Sequence, residues 1–205
     1  MLNSKIIHQV QTEHKMVAFT FDDGPDPLYT PQLLDIFRGV GKATFFMVGK
    51  QIKEHPDIAR AVFEEGHEIG NHTYNHPFLT KICAEERSNE LERAEQAIIQ
   101  VIGRKPQTFR PPYFDFNDEV ASISEAMEYP AIGAMNMQAQ DWAQPGVAHI
   151  LEHTRGHIQN GSILLFHDGF GDRSQTVEAV RVLVPEAIRQ GYRLVTVSEL
   201  LELAP

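Results

Sequence analysis

The sequence contains little cysteine, no long apolar run and an excess of acidic over basic residues, and each of these shortages excludes a class of protein. Cys83 is the only cysteine among 205 residues, so an intrachain disulfide is impossible and we expect a structural thiol. No run of about 18 apolar residues occurs, which predicts no transmembrane segment. The 18 Lys and Arg against 28 Asp and Glu give a formal charge of -10, which makes nucleic acid a poor partner.

The beginning of the chain also lacks the apolar core of a signal peptide. Its first 15 residues, MLNSKIIHQVQTEHK, mix polar and apolar types, whereas a signal peptide needs roughly 7–15 consecutive apolar residues. As written, the chain is expected to be cytoplasmic. A leader removed before this sequence begins would leave the same residues, so an extracytoplasmic localisation stays open.

The composition that is present is typical of a globular protein. Hydrophobic residues make up 42% of the chain and charged residues 22%, and a chain of this length can bury a substantial core. We detect no linker, low-complexity segment or internal repeat. The sequence therefore predicts one domain over residues 1–205.

Short apolar segments alternate with segments of helical period along the chain. The predicted strands are 16–21, 43–48, 67–70, 108–110, 131–135, 162–166 and 193–197. The predicted helices are 30–38, 51–65, 84–102, 117–128, 146–158 and 174–189. Apolar strands separated by helices predict an α/β fold with a parallel sheet, and about seven repeats favour barrel-like closure over an open doubly wound sheet. In both architectures, functional side chains lie at the carboxyl ends of the strands.

Two adjacent carboxylates, Asp22 and Asp23, directly follow the first predicted strand. Neighbouring strand residues point to opposite faces, so both can serve one site only if the backbone turns. Gly24 and Pro25 are typical of such a turn. A simple surface turn fits this motif when it is taken alone, whereas its position at a strand end favours a site.

His72 and His76 stand four residues apart in the motif HTYNH, after another predicted strand. On a helical turn, this spacing places two imidazoles on one face, where both can reach a metal ion, and a nearby carboxylate would complete a catalytic set of three ligands. The same spacing occurs at His149, His153 and His157. These three lie inside a predicted helix, away from a strand end, and we interpret them as a solvated helix face.

Three further motifs supply chemically competent side chains near predicted strand ends. Arg110 in RPPY precedes two prolines that stiffen the backbone, so its guanidinium could hold a carboxylate and the Tyr113 amide could face an oxyanion. His167 ends the apolar run SILLF, where an imidazole suits general acid chemistry. Asp141 precedes Trp142, the only tryptophan. Each motif alone also fits a structural turn or a buried side chain, but together they favour one active site.

In this order and at these intervals, TFDDGP, HTYNH, RPPY, DW and LLFH resemble the motifs of the polysaccharide deacetylases of carbohydrate esterase family four, the NodB-homology proteins. The resemblance covers residues 16–200. It implies a distorted (β/α) barrel of about seven parallel strands. It also implies a hydrolase that removes N-acetyl groups from N-acetylglucosamine-containing glycans such as peptidoglycan, chitin or chitooligosaccharide. The implied cofactor is a divalent metal, zinc by default, with cobalt or another divalent ion as alternatives.

Position by position, the resemblance implies ten site residues in three groups. The catalytic residues are Asp22 as general base, Arg110 that orients it, His167 as general acid, and Asp141 that supports His167. The metal ligands are Asp23, His72 and His76. The substrate-binding residues are Tyr113, whose amide faces the oxyanion, and Trp142 and Leu165, which form a pocket for the acetyl methyl group.

Two positions depart from the family pattern and bear on specificity. Gln138 replaces an acidic residue three positions before the DW pair, and Phe114 replaces a glycine after the RPPY tyrosine. Phe114 and Phe116 fit either stacking on a sugar ring or core packing. Two other functions stay open: hydrolysis of a small non-carbohydrate amide or imide, and carbohydrate binding without catalysis. The sequence sets neither the glycan nor the oligomeric state.

Overall fold

The computed structural model of the chain describes residues 6–203. The first five residues of the segment tested for a signal peptide, and the last two of the predicted domain, lie outside the described residues. The strands are β1 Met16–Asp22, β2 Thr44–Met47, β3 Glu68–Asn71, β4 Ile163–His167 and β5 Arg193–Leu194. The helices are α1 Thr30–Phe37, α2 Gly49–Glu54, α3 Pro56–Glu64, α4 Ala84–Ile102, α5 Asp118–Ala126, α6 Val147–Arg155, α7 Ser174–Arg189 and α8 Val197–Leu201.

The strands form a parallel sheet in the order β3-β2-β1-β4, with β5 paired to the start of β1. Helices connect these strands, as the alternating pattern predicts. All seven residues of β1 are buried, which explains why this strand is a continuous apolar run with Thr20 and Asp22 as its polar exceptions. In the register of the sheet, Asp22 lies beside His167 of β4. The carboxyl ends of β1 and β4 therefore meet at one edge.

Two predicted strands, 108–110 and 131–135, form single bridges instead of ladders. Phe109 bridges Asn71 of β3 on one side and Ala131 on the other. The Met135 amide then donates to the Ile163 carbonyl of β4 at 2.9 Å. Prolines that lack an amide donor border both segments and prevent longer ladders. The result is a distorted barrel. On one side, β2 and β1 connect β3 to β4 through ladders, and on the other side only the single contacts at residues 109, 131 and 135 connect them.

A segment near the beginning of the described chain lies against these single contacts. Ile7 accepts from the Gly133 amide at 2.7 Å and donates to the Ala131 carbonyl at 2.9 Å. Three residues later, the Val10 amide donates to the Gly161 carbonyl at 2.9 Å. The segment 7–10 therefore covers the gap between residues 131–133 and the start of β4.

The alternation of side chains along β1 separates the barrel interior from the layer of helices. Phe19 and Phe21 pack outward into the core cluster that also contains side chains of α1 and α7. Met16 and Ala18 belong instead to the interior cluster. Asp22 has the same parity as Met16 and Ala18, so its side chain also faces the interior.

Two predicted elements differ from the structure at their ends. The predicted helix 51–65 is two helices, α2 and α3, because Pro56 cannot donate to the preceding turn and instead begins α3. The predicted strand 193–197 ends at Leu194, and Val197 begins α8. A capping box causes this change, since the Thr196 hydroxyl accepts from the Glu199 amide at 3.1 Å and the Glu199 carboxylate accepts from the Thr196 amide at 2.8 Å.

Two smaller observations complete the fold. Cys83 is exposed directly before α4, where its amide donates to the Glu86 carboxylate at 3.2 Å. Within residues 6–203, no helix combines the length and the apolar character that crossing a membrane requires.

Candidate active site

Arg110 fills the barrel interior beneath the carboxyl end of β1. Its side chain is fully buried, and Nη1 donates to Asp22 Oδ1 and Thr20 Oγ1, both at 2.7 Å. Its other donors reach the carbonyls of Ile132 and Gly133 at 3.2 and 2.8 Å. A buried guanidinium needs such partners because its charge cannot be hydrated there. The contact with Asp22 fixes one carboxylate oxygen in place.

The chain turns sharply at Asp23, one residue earlier than the predicted Gly24–Pro25 turn. Asp23 has a φ of 78°, in the left-handed region that L-residues rarely adopt. A Cβ added at Gly24 would lie 2.4 Å from Oδ2 of Asp168, so only glycine fits at this position. The turn is what lets the adjacent carboxylates of Asp22 and Asp23 line the same cleft.

Asp168 lies beneath this turn and was not identified from the sequence. It is fully buried, Oδ2 accepts from the Thr30 hydroxyl at 2.5 Å, and Oδ1 has no hydrogen-bond partner. Burial raises the pKa of Asp168 to about 7. Its place directly after His167, at the end of a buried strand, was the signal that could have identified it.

The motif HTYNH forms a loop, so the predicted helical turn is wrong. Thr73 and His76 both have left-handed backbone, with φ of 63° and 61°, which no α-helix accommodates. Glu90 of α4 holds the loop, because its carboxylate accepts from the amides of Tyr74 and Asn75 at 3.0 and 2.7 Å and from the Asn75 side chain at 2.6 Å. The histidines converge through this loop and not through helical periodicity.

Asp23, His72 and His76 form the one group of three or more potential metal ligands within residues 6–203. Their donor atoms lie within 4.8 Å of one another. His72 donates through Nδ1 to the Arg110 carbonyl at 2.7 Å, which turns Nε2 toward the cleft, 3.6 Å from Asp23 Oδ1. His76 Nε2 lies 3.1 Å from the same oxygen.

The charge on Asp23 suits a cation. Asp23 Oδ1 is buried without a hydrogen-bond partner of good geometry. Burial by itself would raise the pKa of Asp23, but the imidazoles of His72 and His76 lower it well below its usual range. One ionised carboxylate oxygen and two imidazole nitrogens are the ligands that a catalytic divalent metal uses in proteins. The three residues therefore fit a divalent metal ion.

His167 is held by a fully buried carboxylate. Its Nδ1 donates to Asp141 Oδ1 at 2.9 Å, and its amide donates to Oδ2 at 2.8 Å. The Thr176 hydroxyl of α7 also donates to Oδ2 at 2.8 Å. Burial by itself lowers the pKa of His167, but the charge and hydrogen bond of Asp141 raise it to about 9. The bond at Nδ1 leaves Nε2 as the nitrogen available to a ligand.

The structure brings the ten predicted site residues together. A cleft of about 760 Å³ is lined by eight of them: Asp22, Asp23, His72, His76, Tyr113, Trp142, Leu165 and His167. The other two, Arg110 and Asp141, lie beneath it and bond to Asp22 and His167. Leu165 is buried, whereas Trp142 and Tyr113 are 42% and 57% exposed. The cleft therefore has a charged floor and exposed aromatic side chains.

The structure places the two departures from the family pattern, Phe114 and Gln138, and the nearby Phe116 in three different environments. Phe114 lines the cleft, whereas Phe116 packs against a core cluster. Gln138 is exposed, and its carbonyl accepts from His149 Nε2 at 3.1 Å. Of the two departures, Phe114 is thus the one that lies in the cleft.

The second histidine series lies on α6 and just beyond it, apart from the metal-ligand group. The rings of His149 and His153 are 4.2 Å apart, and both residues are partly exposed, as is His157. None of these three histidines belongs to the group formed by Asp23, His72 and His76.

Comparison with known proteins places the chain in a family. A sequence model described as polysaccharide deacetylase matches residues 9–132. The chain belongs to the polysaccharide deacetylase family. It is 42% identical over 195 residues to a peptidoglycan-N-acetylglucosamine deacetylase from Bacillus cereus, covering 94% of this chain and 91% of that protein. It is 33% identical to a chitooligosaccharide deacetylase from Bradyrhizobium, covering 88% of each.

Solved structures show the same architecture. A pseudoenzyme of carbohydrate esterase family four from Bacillus anthracis superimposes with a TM-score of 0.88 at 29% identity, covering 98% of this chain and 70% of that one. The predicted family and distorted-barrel fold are thus confirmed. Members of this family depend on a divalent metal, and Asp23, His72 and His76 form a group able to hold one.

Proposed function

We propose that the protein is a metal-dependent N-deacetylase that hydrolyses the acetamido group of N-acetylglucosamine units in a glycan and releases acetate. The observation that carries this proposal is the meeting of Asp22, the group Asp23–His72–His76, and His167 in one cleft. Amide hydrolysis at a sugar nitrogen needs a base to deprotonate water and an acid to protonate the departing amine. Two separate ionisable groups beside a metal-ligand cluster satisfy that requirement.

The ion itself is proposed to be zinc, held by Asp23, His72 and His76. Two imidazoles and one carboxylate leave further coordination positions open, which is typical of catalytic zinc sites. Cobalt or another divalent ion fits the same ligands, since metal choice also follows availability. When bound, the ion supplies Lewis-acid chemistry, because it polarises the acetamide carbonyl and makes water easier to deprotonate.

Asp22 is proposed as the general base. The bond from Arg110 to Oδ1 at 2.7 Å leaves Oδ2 to take the proton from water. Oδ2 lies 3.8 Å from His72 Nε2, which places the base next to the metal-ligand cluster. The attacking water then adds to the acetamide carbonyl. We propose that the amide of Tyr113, which lines the same cleft, stabilises the resulting oxyanion.

His167 is proposed as the general acid, positioned by Asp141. A pKa of about 9 keeps its imidazole protonated at neutral pH, as an acid requires. Its proton goes to the nitrogen as the C–N bond breaks, which releases the sugar amine and leaves acetate. Trp142 stands edge-on to His167 with ring centroids 5.3 Å apart. With the buried Leu165, it is proposed to enclose the acetyl methyl group.

The glycan assignment is supported by the relatives and by the open cleft. The Bacillus cereus relative is named for peptidoglycan N-acetylglucosamine and the Bradyrhizobium relative for chitooligosaccharide. Both names describe an acetamido group on a pyranose ring, and we propose that chemistry for this chain. The exposed aromatic side chains around the cleft suit a sugar polymer better than a small amide.

Acetate release from a tetramer of N-acetylglucosamine tests the reaction. The protein is stripped of metal with a chelator, assayed, and assayed again after one equivalent of zinc or cobalt. Acetate release only with metal supports the proposal. A silent binding protein would bind zinc and tetramer but release no acetate, and a hydrolase of small amides would act on acetanilide and not on the tetramer.

Two variants separate the base from the metal ligands. Asp22→Asn is expected to lower kcat by at least roughly 100-fold because the base is lost, while zinc still binds. His76→Ala is expected to lose both zinc and turnover. Zinc binding is measured by isothermal titration calorimetry alongside acetate release. Full activity in Asp22→Asn would refute the general-base assignment.

A further inference from the structure

Phe170 is an exposed aromatic residue in the cleft, separate from the proposed catalytic residues and metal ligands. Its side chain is part of the cleft lining, and the residue is 48% exposed. Its ring centroid lies 5.6 Å from that of His76, at an interplanar angle of 68°. Phe170 therefore borders the metal-ligand cluster without packing into the core.

The backbone at Phe170 is unfavourable for a phenylalanine. Its φ is 57°, in the left-handed region that favours glycine. Gly169 and Gly171 flank it and could adopt a left-handed backbone at little cost. The loop nevertheless places Phe170, its one large side chain, in that conformation. Exposure shows that core packing does not account for this arrangement, and strained residues of this kind cluster at ligand sites.

Arg173 fixes Phe170 in this position. The guanidinium is buried and donates to the carbonyls of Gly169 and Phe170, both at 2.7 Å. It also donates to the Trp142 carbonyl at 3.1 Å. Arg173 thus ties the Phe170 loop to the backbone of Trp142, on the His167 side of the cleft. Its donors are occupied by backbone, so it has an anchoring role.

A second aromatic side chain borders His76. Tyr113 lies edge-on to His76 with ring centroids 4.6 Å apart. Phe78 stacks on Tyr113 at 3.9 Å and 12°, which supports the ring from behind. Phe170 and Tyr113 therefore both contact the imidazole that also lies 3.1 Å from Asp23. A ligand that reaches the metal group passes beside these two rings.

We propose that Phe170 is a specificity-determining residue that, together with Tyr113, packs against the apolar C–H surface of the pyranose ring that carries the acetamido group. The inference rests on the proposed function and deepens it, because it makes the sugar ring itself, and not only the acetamide, part of what is recognised. Aromatic surface suits a pyranose face because the ring presents C–H groups on one side and hydroxyls at its edge.

The decisive variant is Phe170→Gly, which removes the ring and also relieves the left-handed strain, so folding is preserved. Phe170→Tyr keeps an aromatic ring at the same position. Val182→Ala is the matched control, because Val182 is also an exposed apolar residue but lies on α7 outside the cleft. All are prepared in the zinc-loaded enzyme and again in the Asp22→Asn background, which binds substrate without hydrolysing it.

Binding is followed through the fluorescence of Trp142, the only tryptophan, which lines the same cleft. In the Asp22→Asn background, Phe170→Gly is expected to weaken the Kd for the N-acetylglucosamine tetramer by roughly 5- to 10-fold, the range that one aromatic contact supplies. Phe170→Tyr is expected to restore most of the affinity. In the active enzyme, the loss appears in KM rather than kcat, and the Kd for zinc is unchanged.

Two results would overturn the inference, and they differ in what else they overturn. If the parent enzyme deacetylates the tetramer and Phe170→Gly shows the same Kd and KM as Val182→Ala, the role of Phe170 is wrong while the proposed function stands. If the zinc-loaded parent neither binds nor deacetylates the tetramer, both are wrong.

Discussion

Arg110 and Asp141 lie below the cleft and hydrogen-bond to Asp22 and His167 above them. Burial lowers the pKa of Arg110, and the neighbouring Asp22 opposes that change. The resemblance to the family implied both residue pairs, Arg110 with Asp22 and Asp141 with His167, and the predicted strand ends indicated that Asp22, Arg110 and His167 lie at one edge of the sheet. It could not predict that Arg110 enters the barrel interior, because this depends on the distorted half of the sheet, where single bridges replace ladders.

Replacement of Asp141 is expected to move the pH dependence of catalysis. For His167 as the proposed general acid, kcat is full below the pKa of its imidazole and falls as pH rises through that pKa. Burial by itself lowers that pKa, but the carboxylates of Asp141, Asp23 and Asp22 raise it from 6.5 to about 9. A bound cation offsets the negative charges of Asp22 and Asp23. The alkaline limb of the kcat profile is therefore expected at a pH between 6.5 and about 9. In Asp141→Asn, burial still lowers the pKa while the main opposing charge is lost, and the limb moves down by about one to three pH units.

The measurement is kcat of the zinc-loaded enzyme from pH 5 to 10. Glu178→Gln, an exposed acidic residue on α7, serves as the control with an unchanged limb. An alkaline limb that stays in place in Asp141→Asn would show that His167 is not the titrating acid.

At the level of elements, the loop after β3 depends on Glu90 of α4, the next α-helix along the chain. Of its two left-handed residues, Thr73 is β-branched and gives no sequence signal for such a conformation, and His76 gives only a weak one. The sequence therefore predicted residues that the structure brings together, but it placed them in the wrong local structure. Glu90 was missed because it resembles any other polar residue of an amphipathic helix, although it is buried. By contrast, β1 and β4 were predicted closely because their apolar runs are continuous.

Glu90→Gln is expected to weaken zinc binding. The carboxylate accepts three hydrogen bonds from Tyr74 and Asn75. In a glutamine, the side-chain NH2 group would face one of these N–H groups, so that hydrogen bond would be lost and the loop would loosen. Replacing a residue that orients metal ligands typically costs 10- to 100-fold in affinity, and roughly tenfold is expected here. The Kd for zinc is measured by calorimetry. Glu92→Gln, an exposed neighbour on α4, is the control, and equal affinities in both variants would contradict the role of Glu90.

Across the whole molecule, the proposed metal ligands come from two strands of the sheet that are not neighbours. Asp23 follows β1, while His72 and His76 follow β3, with β2 between those strands. An ion that binds only the folded protein stabilises it by about 2.7 kcal/mol at a free concentration of 100 Kd. For a protein of this size, removal of metal is therefore expected to lower Tm by roughly 5 to 10 °C.

Calorimetric melts of chelated and zinc-reconstituted protein test this expectation. His76→Ala supplies the control, because its Tm should not respond to zinc. A Tm that is independent of zinc in the parent protein, with zinc shown to be bound, would mean that the ion does not link the two segments.

The segment 7–10 limits where the chain can be extended, cleaved or shortened. It exchanges backbone hydrogen bonds with residues 131–133 and reaches Gly161, and so bridges the half of the barrel that has no ladders. An affinity tag or fusion partner attached before residue 6 leaves these bonds intact. A cloning boundary or protease cleavage site placed after residue 10 would instead remove the segment, exposing the amide of Gly133 and the carbonyls of Ala131 and Gly161 to water and to other chains.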